Sequence, residues 1–357
     1  MIQVNKNVLF VSMSDKANGA EKVLLMAAKV IRAPMIFLQK VKKGGLKFSQ
    51  DQRLTYVTDK SMLAGFWGLA RSLKSYRKGF IIISTHPYLS AYLGFLKRIG
   101  YLKSQLIVRE CTSVFTRYSG FKRWTYQIAY RLGYPGASLI VCQTALMRNQ
   151  FLKHVNFIQA QKVIIQENPI DIEQTIIKAN KPLNDIDAGS DFICAAGRLI
   201  PEKGFSVLIK AFSCIIKQYP DLNLLLFGEG PEKPLLNGLI KTYKLEGRVL
   251  LKGWTDNPLP YFKKARVCVV SSIKEGFPNV LLEMMALNPV VVSTLCAGGI
   301  EAIPCIEKTE ANNVNTLVIA LKKALHKDGE HEKKTIQQYL CNRKPEVFLR
   351  TILSALQ

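Results

Sequence analysis

Glu275 and Glu283 bracket the segment Glu275-Gly276-Phe277-Pro278-Asn279-Val280-Leu281-Leu282-Glu283, where a Gly/Pro turn opens an apolar helix. Upstream, Gly197-Arg198-Leu199-Ile200-Pro201-Glu202-Lys203-Gly204 sets two cations around a short loop. A diphosphate calls for such cations: Arg198 offers a planar fork of donors and Lys203 a point charge. A helix starting near Gly204 adds partial positive charge and N–H groups. The amides of Asn279, Val280 and Leu281 are expected at a second helix N-terminus, with Pro278 at its first position, where they suit phosphate or sugar oxygens. Glu283 can accept two hydrogen bonds from a ribose diol, or else faces solvent. Glu275, ahead of the helix, falls nearer the sugar. The set suits a nucleotide diphosphate-sugar.

These residues need rigid elements to hold them. In the C-terminal half, apolar strands at 192–196, 224–227, 249–251, 267–270 and 290–292 alternate with helices at 205–218, to about Tyr243, 258–264 and from Pro278. Strands that are apolar throughout imply a parallel sheet covered on both faces. The N-terminal half alternates less cleanly. Strands are expected at 8–12, 35–38, 80–84, 106–108 and 138–142, and helices at 20–31, 62–76, 89–98, 121–132 and 145–154. The fold class is α/β: two doubly wound, Rossmann-like domains facing a cleft, where ligands of open α/β sheets bind. The expected divisions are residues 1–182, residues 183–340, and a C-terminal helix over 341–357 packing back on the first domain.

At 357 residues the chain has room for two cores. Its formal net charge is +24, unevenly spread: residues 1–180 hold 27 Lys/Arg against 8 Asp/Glu, residues 181–357 hold 23 against 18. Such a field favours an anionic partner. The eight cysteines show no CxxC and no zinc spacing, and read as small buried hydrophobes in a reducing compartment. No run of 18 uninterrupted apolar residues predicts a membrane-spanning helix. The apolar run near the N-terminus is short for a signal sequence and reads as a first strand.

The Glu-x7-Glu segment, the Gly-Arg-Leu-x-Pro-Glu-Lys-Gly loop, Phe227-Gly228-Glu229-Gly230-Pro231 and Gly253-Trp254 together resemble the GT4-type retaining glycosyltransferases of GT-B fold that build bacterial surface polysaccharide or lipopolysaccharide. The resemblance covers residues 192–303 strongly and the first domain weakly. It implies that Arg198 and Lys203 bind the donor pyrophosphate, Glu283 the ribose and Glu275 the donor sugar. Backbone near Gly228 and Trp254 would frame the base. It also implies retention of anomeric configuration, no metal and no cofactor beyond the donor substrate. A UDP-sugar is expected ahead of a GDP-sugar, and a lipid-linked or lipopolysaccharide/capsule glycan as acceptor.

In the first half, Asn18-Gly19-Ala20-Glu21 resembles the family's Gly-Gly-x-Glu loop, with Asn18, which tolerates a left-handed backbone, for the first Gly. Gly19 would let donor phosphate or acceptor approach. His86 follows a strand, as the family's cleft histidine does, and either bonds the donor sugar or caps the strand end. Arg109-Glu110 either meets the acceptor or forms an ion pair. Past Gly298-Gly299-Ile300-Glu301 the chain lacks the family's longer loop.

The basic half interleaves cations with aromatics, as in Phe121-Lys122-Arg123-Trp124. That pattern suits peripheral attachment to an anionic membrane at its cytoplasmic face, or an ordinary solvated surface. Nucleic acid is not expected, since no helix-turn-helix, RNP-like or zinc module is present. The alternatives are a UDP-sugar epimerase or hydrolase on this fold, and a non-enzymatic basic surface-binding protein.

Overall fold

The computed structural model describes residues 7–42, 44–59, 61–183 and 191–356. The chain divides into two compact units, Met1–Pro169 with Arg343–Gln357, and Ile170–Asn342.

The first unit is built on β1 (Asn7–Ser14), α1 (Gly19–Val30), β2 (Met35–Gln39), β3 (Leu54–Tyr56), α2 (Met62–Ser72), β4 (Phe80–Thr85), α3 (Pro87–Arg98), β5 (Gln105–Glu110), α4 (Val114–Arg117), α5 (Gly120–Gly133), β6 (Leu139–Cys142), α6 (Ala145–His154) and β7 (Val163–Ile165). Its seven strands are parallel, in the order β3-β2-β1-β4-β5-β6-β7. Along β1, Leu9 and Val11 enter one core while Val8 and Phe10 enter another. Both faces are therefore covered, which is why the strand is apolar without alternation.

The second unit comprises α7 (Ile172–Ala179), β8 (Phe192–Ala196), α8 (Phe205–Ile215), β9 (Asn223–Phe227), α9 (Lys233–Thr242), β10 (Val249–Gly253), α10 (Leu259–Lys264), β11 (Val267–Val270), α11 (Asn279–Leu287), β12 (Val291–Thr294), β13 (Glu307–Thr309), α12 (Val314–Leu325) and α13 (Lys333–Cys341). Its sheet runs β10-β9-β8-β11-β12-β13, all parallel. Ile193 and Ala195 point to one core, Phe192 and Cys194 to the other.

The division falls at Pro169/Ile170, ahead of the 182/183 boundary expected from composition. Ile170 and Ala179 bury in the second unit's core, so α7 belongs to that unit. The polar stretch 184–190 lies outside the described residues. The last helix, α14 (Pro345–Ser354), returns to the first unit, where Phe348, Leu349, Ile352 and Leu353 pack with Val23, Leu24, Ala27 and Ala28 of α1.

Four cysteines are buried, and Cys214 and Cys341 are exposed. No described helix is long and apolar enough to cross a membrane.

Candidate active site

Each sheet reverses its strand order once, between β1 and β4 in the first unit and between β8 and β11 in the second. Loops leaving the carboxyl ends of two such strands part to opposite faces and open a crevice. Gly19, Glu21 and His86 collect at the first of these points, and Arg198, Lys203 and Glu275 at the second.

In the second unit, the loop after β8 carries Arg198 and Lys203, and the loop after β11 carries Glu275. Lys203 Nζ donates to Glu275 Oε1 at 2.7 Å, with both side chains about one-sixth exposed. The Ser272 hydroxyl donates to the same oxygen at 2.6 Å. An ammonium has three donors, so one bond to Glu275 leaves others for an incoming anion. Arg198 is exposed, at the same end of β8.

Backbone chemistry fixes this pair. Ile273 N–H donates to Glu202 O at 2.7 Å and the Ser271 hydroxyl to Lys203 O at 2.9 Å, stitching the two loops together. Glu275 N–H donates to Cys296 O at 2.8 Å. Gly204 is left-handed (φ 63°), and a Cβ there would lie 2.2 Å from Ser271 O. Gly228 (φ 144°) is tighter still, since a Cβ there would lie only 1.8 Å from Gly197 O. Neither place admits a side chain. Burial pushes the Cys296 thiol up to about 12, so it packs behind Glu275 as an inert hydrophobe.

α11 starts one residue later than expected: Pro278 is its cap (φ −80°, ψ 95°) and Asn279 its first residue. Leu281 N–H, expected to serve a ligand, donates instead to Pro278 O at 2.9 Å, and its side chain is buried. Asn279 and Val280 occupy the opening turn, and both are half-buried. Glu283 follows on the same helix and is also half-buried, between the buried Leu282 and Met284. Gly228 N–H bonds Gly253 O at 2.7 Å, which ties the end of β9 to that of β10. There Trp254 is 62% exposed, a bare aromatic face beside the strand ends.

The first unit repeats the arrangement with different residues. His86, after β4, approaches Glu21 of α1, which follows β1. His86 Nε2 lies 2.5 Å from Glu21 Oε1. A carboxylate only accepts, so Nε2 carries the proton and donates. Glu21 is 1% exposed and His86 35%. His86 holds φ 76°, unusual for a residue with a Cβ, and its side chain does not cap α3. Glu21 was visible in the Gly-Gly-x-Glu-like loop, but nothing in its spacing assigned it a partner 65 positions away. Asn18 is extended (φ −86°, ψ 170°), not left-handed, so replacing the family's Gly carries no backbone cost. Gly19 opens α1 directly.

Arg109 and Glu110 do not form the pair the sequence suggested, because successive residues of β5 face opposite sides. Arg109 donates to Asn168 Oδ1 at 2.8 Å and lies over the Phe348 ring, while its Nε and Nη1 bond to no described residue. Glu110 accepts from the Tyr130 hydroxyl at 2.9 Å and from Tyr134. Both are at most 2% exposed, which leaves neither a surface to offer an acceptor. Burial pushes Glu110 up to about 7, against the opposing pull of its bonds from Tyr134 and Tyr130.

Residues 177–339, nearly all of the second unit, match the family model for glycosyl transferases group 1. The chain carries a group 1 glycosyl transferase domain. The N-acetylgalactosamine-N,N'-diacetylbacillosaminyl-diphospho-undecaprenol 4-alpha-N-acetylgalactosaminyltransferase of Campylobacter jejuni is 31% identical over 243 residues, 66% of this chain and 65% of that protein. The lipopolysaccharide core biosynthesis glycosyltransferase LpsE of Rhizobium meliloti is 32% identical over 123 residues, 34% of this chain and 35% of its own length. The chain thus spans less than two thirds of these curated relatives. HepE of Anabaena, solved in complex with UDP, superposes with a TM-score of 0.80 at 18% identity, over 98% of this chain and 99% of HepE. That likeness shows the GT-B fold, with two parallel-sheet, Rossmann-like domains. The group 1 domain brings Lys203 and Glu275 into contact, with Arg198 and Trp254 at the same carboxyl edge of its sheet.

Proposed function

We propose that the protein is a retaining glycosyltransferase that moves a sugar from a UDP-sugar to a lipid-linked or lipopolysaccharide/capsule glycan acceptor, working at an anionic membrane surface. The observation that carries this reading is the Lys203–Glu275 contact at the switch point of a group 1 domain. The relatives support the acceptor class, one being named for a diphospho-undecaprenol substrate and one for lipopolysaccharide core. HepE, solved with UDP, supports the choice of nucleotide.

In the reaction, the bond between the sugar anomeric carbon and the diphosphate oxygen breaks. The acceptor oxygen bonds that carbon on the face the diphosphate leaves. The acceptor proton passes to a leaving phosphate oxygen. Negative charge grows on the diphosphate, and Arg198 and Lys203 are assigned to stabilise it. Fixed cations act most strongly where water is excluded, which suits a Lys203 only about one-sixth exposed. These cations fill the role a metal would otherwise serve, so we assign the reaction no metal. Glu275 receives the sugar hydroxyls, Glu283 the ribose diol, and Trp254 the base. The first unit contributes the acceptor side and His86.

The test incubates purified protein with labelled UDP-sugars, with and without lipid extracted from bacterial membranes, in the presence of a chelator. Label entering the lipid fraction with its anomeric configuration kept is the expected result. Rapid release of free sugar without acceptor would point to an epimerase or hydrolase. Loss of transfer on chelation would overturn the metal assignment.

A further inference from the structure

Residues 60–166 contain sixteen Lys/Arg and one acid, Glu110. That acid is 2% exposed and bonded to tyrosines. The described surface of this stretch therefore carries no exposed negative side chain.

The same stretch supplies α2, α3 and α5, which lie side by side on one face of the first unit's sheet. Phe66 of α2 stacks edge-on with Tyr92 of α3 at 5.0 Å, and the Tyr92 hydroxyl donates to Phe66 O. Between α3 and α5 the backbones touch: a Cβ on Gly94 would lie 2.1 Å from Gly133 O. Arg98 of α3 donates to Leu132 O of α5 at 2.7 Å. The three helices form one stiff layer.

α5 is apolar on two sides. Tyr126, Tyr130 and Gly133 face the core. Phe121, Trp124, Ile128 and Leu132 point outward, at 77%, 54%, 37% and 51% exposure. At 100° per residue these four fall within an arc of about 80°, roughly opposite the buried set. Lys122 and Arg131 are exposed on the two flanks of that arc. The neighbouring helices extend the surface with Phe95 and Ile99 at the end of α3, and Leu63 and Trp67 of α2, the last at 84%. A soluble surface places such residues singly; a row flanked by cations is the pattern of an interfacial helix.

We propose that the outer face of α2, α3 and α5 is the membrane-docking surface, with Phe121, Trp124, Ile128 and Trp67 entering the acyl boundary of an anionic leaflet and Lys122 and Arg131 meeting its phosphates. The occupant is lipid: the rings of this face are interspersed with the aliphatic Leu63, Ile99, Ile128 and Leu132, which give a base no stacking platform but enter an acyl boundary beside the rings. The assignment rests on the membrane-surface reading and gives it a place in the fold.

The experiment measures sedimentation of the full chain with vesicles of phosphatidylcholine alone and of phosphatidylcholine with phosphatidylglycerol, for wild type and for Phe121→Ser/Trp124→Ser. The anionic vesicles should bind wild type and the double variant should lose at least about tenfold in partitioning, the cost of about 1.4 kcal/mol of apolar burial. Circular dichroism and UDP binding, which belongs to the second unit, should be unchanged. Trp67→Phe, alone, should reduce quenching of intrinsic fluorescence by brominated lipid. If wild type ignores anionic vesicles or binds neutral ones equally, the membrane reading itself fails. If wild type binds and the double variant binds as tightly, this face is the wrong one. Tighter binding of single-stranded RNA than of anionic vesicles would overturn lipid as the occupant.

Discussion

Lys203 Nζ and Glu275 Oε1 meet at 2.7 Å although 72 residues separate them. They follow β8 and β11, the two strands between which the sheet order reverses. His86 and Glu21 meet in the same position of the first unit, after β4 and after β1. In both units a nitrogen donor and a carboxylate bridge the switch point, and in both the carboxylate has little or no exposure. The fold supplies the crevice, and the sequence fills each with one acid and one donor.

Lys203→Ala should lower kcat for sugar transfer by about 10²–10³-fold, the usual cost of deleting a donor aimed at developing charge. Glu275→Gln should nearly abolish transfer, since it also loses the charge that orients Lys203. Steady-state kinetics with a melting curve for each variant checks both. Normal turnover by either folded variant would remove the assignment.

Glu21→Gln should release the histidine ring from a single tautomer. The chain has only four histidines, so ¹⁵N spectra of the imidazoles are readable, with His86→Gln assigning the signal. In the wild type the His86 Nε2 should appear protonated, as the donor to Glu21. A His86 signal unchanged by Glu21→Gln would break the link between the two residues. In transfer assays the variant should lose kcat more than it gains in KM, as expected for a group that positions another.

Glu110 gives a pH dependence of stability. Its folded pKa, about 7, is raised from 4.5. The folded state therefore holds the proton more tightly than the unfolded chain does. The stabilisation is full below pH 4.5 and is lost as pH rises through 7. Relative to Glu110→Gln, the wild type should lose stability between about pH 4.5 and 7.5, by an amount on the order of 3 kcal/mol. Urea melts of both proteins across that range check it, and parallel curves would contradict the buried carboxyl's role.

Gly228→Ala should destabilise the protein by more than about 2 kcal/mol, because its new Cβ would overlap Gly197 O at a positive φ. A thermal melt within a degree of wild type would show that the strand ends yield.

Much of this was legible in the residues themselves. The two apolar, helix-alternating halves pointed to both sheets, since strands buried on both faces read as unbroken apolar runs. Short edge strands were not legible: Leu54–Tyr56, Val163–Ile165 and Glu307–Thr309 have three residues each, too few to show a pattern, and only Val163 and Thr309 among them are buried. α7 was missed as part of the second unit because burial of Ile170 and Ala179, not composition, decides where the chain divides. Lys203 and Glu275 were readable from their motifs, but the Glu21–His86 bond was not, since it needs the strand order. Arg109-Glu110 misled because adjacency in sequence is opposition in a strand.

The proposed activity stands or falls with a diphosphate-sugar site built on Lys203 and Arg198 in the second unit. The most direct measurement is calorimetric titration with UDP and GDP, without added metal, of the wild type and Lys203→Ala. UDP should bind the wild type in preference to GDP, and the variant should bind it at least about tenfold more weakly, for loss of one charge-assisted contact. Folded wild type that binds neither nucleotide, or a variant that binds UDP as well as wild type does, would contradict it.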